Sequence, residues 1–135
     1  MSIRILEVGP RDGLQNEKKI ISTEDKYELV KKLIEAGLEH IEAGAFVNPK
    51  AIPQMADSEV LLKLLLKNFP ETHFYSLVPN LKGLEKAMET GVKNIGLLTS
   101  CCEGCSKKNL NTSINGSIAR IKDIIEQGPR ALFLR

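Results

Sequence analysis

The sequence has no tryptophan, 4% aromatic residues and three cysteines, all of them within residues 101–105. An odd number of clustered cysteines does not make a disulfide framework, which favours a reducing compartment. The longest apolar runs, such as residues 60–66 with Lys63 inside, are too short for a membrane span, and no secretory pattern opens the chain. These absences predict a protein that is not secreted and has no membrane partner, located in a bacterial cytoplasm or a mitochondrial matrix.

The chain also lacks a strong excess of charge of either sign. Nineteen basic residues are scattered among seventeen acidic ones, for a net charge of +2, so nucleic acid is not indicated as a partner. The chain contains neither a Gly-x-Gly-x-x-Gly motif after its first apolar run nor a Gly-Lys-Ser/Thr phosphate loop. The usual nucleotide-binding motifs of open α/β sheets are therefore absent.

What is present is a regular alternation of short apolar runs with amphipathic segments, in a chain of 135 residues with 42% hydrophobic residues. The runs predict strands, and the segments predict helices with recognisable caps. Strands are predicted at residues 3–8, 38–46, 73–78 and 94–99. The helices are predicted from Ser22 to before Gly37, from near Asp57, from an Asn80 cap to Gly91, and from about Ser113 to Gln127.

The apolar positions also predict which face of each helix is buried. In the second helix these positions are Val60, Leu61, Leu64 and Leu65. In the third they are Leu84, Ala87 and Met88. In the last they are Ile114, Ile118, Ile121 and Ile125.

About four strand–helix units in a row force neighbouring strands to be parallel, because each helix carries the chain back before the next strand pairs. The fold class is therefore α/β. Two architectures fit this pattern: a doubly wound open sheet with helices on both faces, or part of a closed eight-unit barrel, which typically needs about 250 residues. Length favours the first, and the missing nucleotide motif counts against it.

Charged side chains occur in or directly after the first two predicted strands, at positions where reactive groups are often found. Arg11 and Asp12 follow the first strand, at the carboxyl edge where parallel sheets gather their chemistry. Glu42 lies inside the second strand, where a buried acid needs a partner or a function. Carboxylates suit Mg²⁺ or Mn²⁺, and an arginine suits a developing oxyanion. The alternative is an ordinary loop, with Asp12 capping a turn and Gly13 at positive φ.

Four stretches resemble 3-hydroxy-3-methylglutaryl-CoA lyase in order and spacing: "EVGPRDGLQNEK", "EAGLEHIEAGAFVNPKAIPQM", "VPNLKG" and "SKKNLN". The similarity runs from about residue 3 to 125 and matches the amino-terminal half of that family. Related metal-dependent Claisen-type synthases and aldolases share the strand-end Arg-Asp-Gly, but Leu14 to Glu17 point to the lyase branch. The resemblance implies a partial (β/α)₈ TIM barrel, a Mg²⁺ or Mn²⁺ ion, and cleavage of an acyl-CoA substrate, hydroxymethylglutaryl-CoA, to acetyl-CoA and acetoacetate.

The resemblance also implies roles for particular residues. Asp12 matches a metal ligand, Arg11 matches the arginine that stabilises the enolate of the leaving thioester, and Gln15 matches the lining of the substrate pocket. Glu42 matches a catalytic acid, with a structural partner for Arg11 as its alternative. A segment that matches coenzyme A contacts, with a solvated lysine pair as the alternative, comprises Lys107, Lys108 and Asn109.

The family's remaining metal ligands, a His-x-His pair and an asparagine, and its catalytic cysteine belong to the second half of the barrel. We therefore expect residues 1–127 to be an amino-terminal half barrel, residues 128–135 to be a divergent tail from truncation, and the chain alone to be inactive. A half barrel would leave sheet edges open and expose apolar side chains of the barrel interior.

Three alternative functions stay open. The first is a non-catalytic interaction module that forms a homodimer or pairs with a complementing carboxyl-terminal half. The second is a related acyl-CoA Claisen-type synthase or aldolase. The third is an independent open-sheet binding domain.

Other residues attract attention without a predicted catalytic role. The cysteines Cys101, Cys102 and Cys105 follow the fourth strand, where the family carries small or apolar residues. His40 and His73 begin strands two and three, at the edge opposite the expected site. Asn80 is explained by a helix N-cap.

Overall fold

The computed structural model describes residues 3–128. Three strands, β1 (His40–Ala45), β2 (His73–Leu77) and β3 (Asn94–Gly96), alternate with helices. The longer helices, in chain order, are α1 (Thr23–Glu35), α2 (Ser58–Asn68), α3 (Leu81–Thr90), α4 (Glu103–Leu110) and α5 (Ile114–Gln127). Two short helical turns, a π-type turn at Gly9–Gly13 and a 3₁₀ turn at Pro53–Met55, precede α1 and α2.

The strands form a parallel sheet in chain order, β1-β2-β3, with His40 opposite His73 and Tyr75 opposite Asn94. The segment before the π-type turn adds a parallel bridge from Glu7 to Ile41, on the other side of β1. The strand predicted at residues 3–8 is thus wrong in extent, because its pairing is reduced to the Glu7 bridge. The strand predicted at 94–99 likewise ends at Gly96. The parallel α/β fold class is confirmed.

The hydrophobic core lies on one face of this sheet. Alternate strand residues, such as Ile41, Phe74 and Ile95, point to it, and side chains from α1, α2, α3 and α5 share the same cluster. Successive helices also pack against each other, α1 on α2 and α2 on α3. Helices on both faces, as a doubly wound sheet requires, are therefore contradicted, and the singly wound order of a barrel is what the described residues adopt.

The opposite face of the sheet, which would line a barrel interior, carries several polar side chains. It carries His40 and Glu42 from β1 and His73 and Tyr75 from β2, since these positions alternate with the core residues. The expectation of exposed apolar interior side chains is not met at these four positions, although Leu77 of β2 lies on the same face and is half-buried.

The predicted helix ends agree with the structure. Ser22 and Asn80 cap α1 and α3, accepting hydrogen bonds from the backbone N–H of Asp25 at 3.1 Å and Gly83 at 2.9 Å. Gly91 ends α3 in the left-handed conformation, with φ of 87°. Ser113 caps α5 in the same way as Ser22. Short-range capping chemistry was readable because each cap involves residues only three positions apart.

Several predicted helix faces were rotated from the real ones. In α2, Val60 and Leu64 are exposed, and Leu62 is fully buried beside Leu61 and Leu65. Met88 of α3 is 53% exposed, whereas the buried positions of this helix are Gly83, Leu84, Ala87 and Thr90.

The same error occurs in α5, where Ile118 and Ile125 are exposed and Ile124 is buried. The small side chain of Ser117 is buried instead of Ile118, and its hydroxyl lies 2.6 Å from that of Thr99 in the segment after β3.

Two further points complete the fold. The helix α4 was not predicted, since its sequence has almost no apolar face. The predicted tail at residues 128–135 lies outside the described residues apart from Gly128. No helix in residues 3–128 is long and apolar enough to cross a membrane.

Candidate active site at the carboxyl edge of the sheet

The π-type turn Gly9–Gly13 places Arg11 at the carboxyl edge of the sheet. The Val8 carbonyl accepts hydrogen bonds from the backbone N–H groups of Arg11 at 3.1 Å and Asp12 at 2.7 Å, which closes the turn directly after the Glu7 bridge. The Glu7 carboxylate accepts a hydrogen bond from the Gly9 N–H at 2.6 Å, and a Cβ at Gly9 would lie 2.8 Å from that carboxylate. A side chain at this position would therefore require the Glu7 carboxylate to move away from the turn.

The loop alternative does not describe this turn. Among residues 3–128, the glycines with positive φ are Gly37 and Gly91, not Gly13. Asp12 lies inside a helical turn and directs its carboxylate to Arg11. The sequence motif thus forms a structured cluster at the edge of the sheet.

Arg11 and Glu42 form the centre of the site. The guanidinium donates from Nη2 at 2.8 Å and from Nε at 3.1 Å to Oε2 of Glu42. Their side chains are 11% and 2% exposed. Burying a carboxylate this deeply is tolerated only when a charged partner compensates for the lost hydration. The paired hydrogen bonds also fix the plane of the guanidinium.

The third nitrogen of Arg11 reaches two more of the predicted residues. Nη1 lies 2.9 Å from Oδ1 of Asp12 and 3.4 Å from Oε1 of Gln15. Asp12 is 61% exposed, in contrast to Glu42. The structure thus brings together Arg11, Asp12, Gln15 and Glu42 around one guanidinium, with one carboxylate buried and the other open to ligands.

Sequence reasoning missed one residue that shapes this cluster. Gly96 of β3 lies beside Glu42, and a Cβ there would be 3.1 Å from Oε1 of Glu42. Only a residue without a side chain leaves the carboxylate its present position. A glycine inside an apolar strand was the available signal, because such glycines often mark close approach of another group.

The candidate coenzyme A residues lie apart from this cluster in sequence. Lys107, Lys108 and Asn109 are exposed residues of α4, which follows the carboxyl end of β3 and so leaves the sheet at the same edge as Arg11. The hydrogen bonds of Arg11 described above are made with Glu42, Asp12 and Gln15. Their location suits contacts to a ligand that extends outward from the cluster.

The described residues do not form a metal site by themselves. Asp12 and Glu42 are both paired with Arg11, and within residues 3–128 no group of three or more His, Cys, Asp or Glu side chains is arranged to hold an ion. Asp12 is a suitable hard oxygen donor, but one exposed carboxylate falls short of the oxygen-rich set that Mg²⁺ requires.

A second polar group lies at the opposite edge of the sheet. The rings of His40 and His73 stack with centroids 4.6 Å apart, and Nδ1 of His40 lies 3.2 Å from the Tyr75 hydroxyl. Burial lowers the pKa of His40, with further lowering by the charges of His73 and Arg4. These side chains line a cleft of about 610 Å³. The prediction that the histidines lie away from the catalytic edge agrees with this placement.

Parallel strands paired in chain order, helices on one face and a charged cluster at the carboxyl edge define part of a (β/α)₈ barrel. A family model described as HMGL-like matches residues 2–129, and the chain belongs to that family.

Known proteins agree with this assignment. The chain is 47% identical over 129 residues to mitochondrial hydroxymethylglutaryl-CoA lyase of Macaca fascicularis, covering 96% of this chain and 39% of that protein. It superposes with a TM-score of 0.84 on the crystal structure of hydroxymethylglutaryl-CoA lyase from Pseudomonas aeruginosa, at 45% identity over 92% of this chain and 41% of that one.

A further solved structure carries ligands. It is an HMG-CoA lyase from Acinetobacter baumannii in complex with coenzyme A and 3-methylmalate, with a TM-score of 0.89 and 33% identity over 97% of this chain and 43% of that one. The chain thus spans about two fifths of the length of the relatives it matches, and the solved relatives are TIM barrels.

Proposed function

We propose that this chain supplies the amino-terminal catalytic half of a hydroxymethylglutaryl-CoA lyase, which cleaves the substrate to acetyl-CoA and acetoacetate. The observation that carries the proposal is the buried Arg11–Glu42 pair at the carboxyl edge, with Asp12 open beside it. The names of the relatives support the substrate class. The mitochondrial relative and the free cysteines support a mitochondrial matrix or bacterial cytoplasm.

Each residue of the cluster has a chemical task in this proposal. Cleavage of the carbon–carbon bond leaves negative charge on the thioester enolate, and Arg11 stabilises it with a guanidinium that Glu42 holds in place. Glu42 also tunes the proton transfer from the tertiary hydroxyl of the substrate, as a carboxylate shielded from water. Gln15 orients the substrate from the same turn.

The exposed residues of the candidate site bind the metal ion and the coenzyme A part of the substrate. Asp12 would contribute one oxygen ligand to Mg²⁺ or Mn²⁺, and the other ligands would come from the remainder of a complete barrel. Lys107, Lys108 and Asn109 bind the phosphates of coenzyme A, since cations pair strongly with phosphate oxygens. The coenzyme A bound to the Acinetobacter baumannii relative supports an acyl-CoA ligand.

A chimeric enzyme tests these roles. Residues 3–128 of this chain replace the matching residues of the Pseudomonas aeruginosa lyase, and release of acetoacetate from hydroxymethylglutaryl-CoA is followed with Mg²⁺ or Mn²⁺ present. We expect the chimera to turn over substrate and the 135-residue chain alone to show none. Arg11→Gln should lower kcat by about 10²–10³-fold, because an oxyanion donor is lost.

Controls separate catalysis from folding. Arg11→Lys keeps a charge beside Glu42 but loses the two-point contact, and Lys63→Gln removes an exposed cation far from the cluster. We expect a large loss in kcat for the first and none for the second. An inactive chimera that folds and binds coenzyme A would refute the proposed reaction. An unchanged kcat in the folded Arg11→Gln variant would refute the catalytic role of Arg11. The Arg11–Glu42 pair would then have only a structural role.

No observation favours the alternatives of a non-catalytic interaction module or a Claisen-type synthase or aldolase. The matched relatives named above are lyases, and the charged cluster has a ready use in that reaction.

A further inference from the structure

The three cysteines of the chain meet at the start of α4. Cys102 is the N-cap residue of this helix, and its sulfur accepts a hydrogen bond from the backbone N–H of Cys105 at 3.5 Å. All three cysteines are exposed and free. The pair Cys102 and Cys105 thus forms a Cys-x-x-Cys unit on the first turn of a helix.

The spacing brings two thiols within reach of one bond. Residues three apart on a helical turn have Cβ atoms about 5–6 Å apart, and a disulfide brings them to about 4 Å. A small backbone shift at the N-cap closes the remaining gap, because Cys102 has an extended conformation and lies outside the hydrogen-bonded helix. Gly104, between them, adds no side chain to obstruct the closure.

The two thiols are chemically unequal. The pKa of Cys102 is lowered by the hydrogen bond from the Cys105 backbone, by the Cys105 thiol and by the Gly104 backbone, while the charge of Glu103 opposes this. The pKa of Cys105 is raised by its hydrogen bond to Cys102. A cysteine with a lowered pKa at a helix N-terminus is the nucleophile in such pairs.

Metal binding does not explain the cluster, because within residues 3–128 no group of three or more His, Cys, Asp or Glu side chains is arranged around an ion position. We propose that Cys102 and Cys105 form a thiol–disulfide exchange site that accepts a low-molecular-weight disulfide of the glutathione type. This proposal does not rest on the proposed lyase reaction.

The exchange balances in two steps. The Cys102 thiolate attacks one sulfur of glutathione disulfide, which forms a mixed disulfide on Cys102 and releases one glutathione thiolate. The deprotonated Cys105 then attacks Sγ of Cys102, which forms the Cys102–Cys105 bond and releases the second glutathione thiolate. The protein gives up two electrons and two protons, and the glutathione disulfide is reduced to two thiols.

The test treats the fully reduced 135-residue chain with glutathione disulfide and follows free thiols and the mass of the peptide between Lys93 and Lys107. We expect two of the three thiols to be lost, together with two hydrogen atoms from that peptide, and both to return on reduction. Cys101→Ser should still form the internal bond. Cys105→Ser should retain one glutathione on Cys102.

The decisive variant is Cys102→Ser, because serine preserves the N-cap and therefore the helix. We expect it to lose the internal disulfide and to react with glutathione disulfide several-fold more slowly than Cys105→Ser, with unchanged circular dichroism. An internal bond that includes Cys101, or glutathione on every cysteine without an internal bond, would overturn the assignment. Equal reaction rates of Cys102→Ser and Cys105→Ser would do the same.

Discussion

At the scale of single residues, the site depends on space as much as on charge. Glu42 is buried, held by Arg11, and confined by Gly96, where a Cβ would lie 3.1 Å from its carboxylate. The pair could be predicted from sequence only as an alternative role for Glu42, since nothing in the local pattern reveals contacts between residues 31 positions apart. The contact of Gly96 with Glu42 was not predicted, because it depends on the register in which the strands pair.

The first prediction concerns Gly96→Ala. The new methyl group should push the Glu42 carboxylate away from its position and lengthen the contacts with Arg11, and we expect the free energy of unfolding to fall by about 1–3 kcal/mol. Urea unfolding of the 135-residue chain measures it. Gly13→Ala is the matched control, because no atom lies within 4 Å of its Cβ position. Equal losses for both variants would contradict the packing argument.

The second prediction concerns His40, whose pKa is lowered chiefly by burial, then by His73 and Arg4, against an opposing effect of Glu39. Because the folded protein binds this proton less readily than the unfolded chain, stability should be highest above the ordinary pKa of about 6.5 and should fall as the pH drops below it. Thermal unfolding at several pH values around neutrality, with His40→Gln for comparison, measures the effect.

In the variant, the decrease in Tm between neutral and mildly acidic pH should be smaller than in the parent chain. His73→Gln should also reduce it, because one of the charges that oppose protonation of His40 is removed. A decrease of the same size in parent and His40→Gln chains would assign the pH dependence to other groups.

At the scale of elements, α1 and α2 are joined by a buried ion pair. Lys26 of α1 donates to Oδ1 of Asp57 at 2.6 Å and to the carbonyl of Gln54 in the 3₁₀ turn. Lys26 is 2% exposed and Asp57 is 23% exposed. Thr23 also donates to the other oxygen of Asp57. The interaction fixes the start of α2 beside α1.

The third prediction follows from this unequal burial. Asp57→Asn leaves the buried ammonium of Lys26 without its counter-ion and should cost about 3 kcal/mol of unfolding free energy. Lys26→Met should cost less, about 2 kcal/mol, because Asp57 is partly solvated and keeps the Thr23 hydrogen bond. Denaturant unfolding gives both values. Lys63→Met, which breaks an exposed pair with Glu59, should change stability by no more than about 0.5 kcal/mol.

A comparison of element ends with element faces shows what sequence could reveal. Caps at Ser22 and Asn80 were predictable because capping acts over three residues. The buried faces of α2 and α5 were not, because consecutive leucines or isoleucines fit two neighbouring rotations equally well. The choice was made by tertiary contacts such as that of Ser117 with Thr99. The start of α4 could not be predicted from a cap, because its N-cap residue is Cys102 and cysteine is not a typical capping residue.

At the scale of the whole molecule, the parallel α/β class followed from alternation alone, but the choice between open sheet and barrel did not. Periodicity gives the number of strand–helix units and is silent about which face each helix covers. Here one hydrophobic cluster contains residues from α1, α2, α3 and α5, which decides for the singly wound arrangement. The resemblance to the lyase family had implied the same result through particular motifs.

The last prediction concerns the edge of the described sheet that lies beside β1. Ile3 and Ile5 are 85% and 64% exposed in the segment that pairs with β1 at Glu7, so apolar side chains at this edge are available to another strand. We expect the 135-residue chain to associate with rising concentration in sedimentation velocity experiments. The double variant Ile3→Lys with Ile5→Lys should associate less, because charge at a sheet edge opposes strand pairing. The control, Val60→Lys with Leu64→Lys, alters exposed residues of α2 and should associate as the parent does. The reverse order of the two variants would place the contact on the helical face instead of the sheet edge.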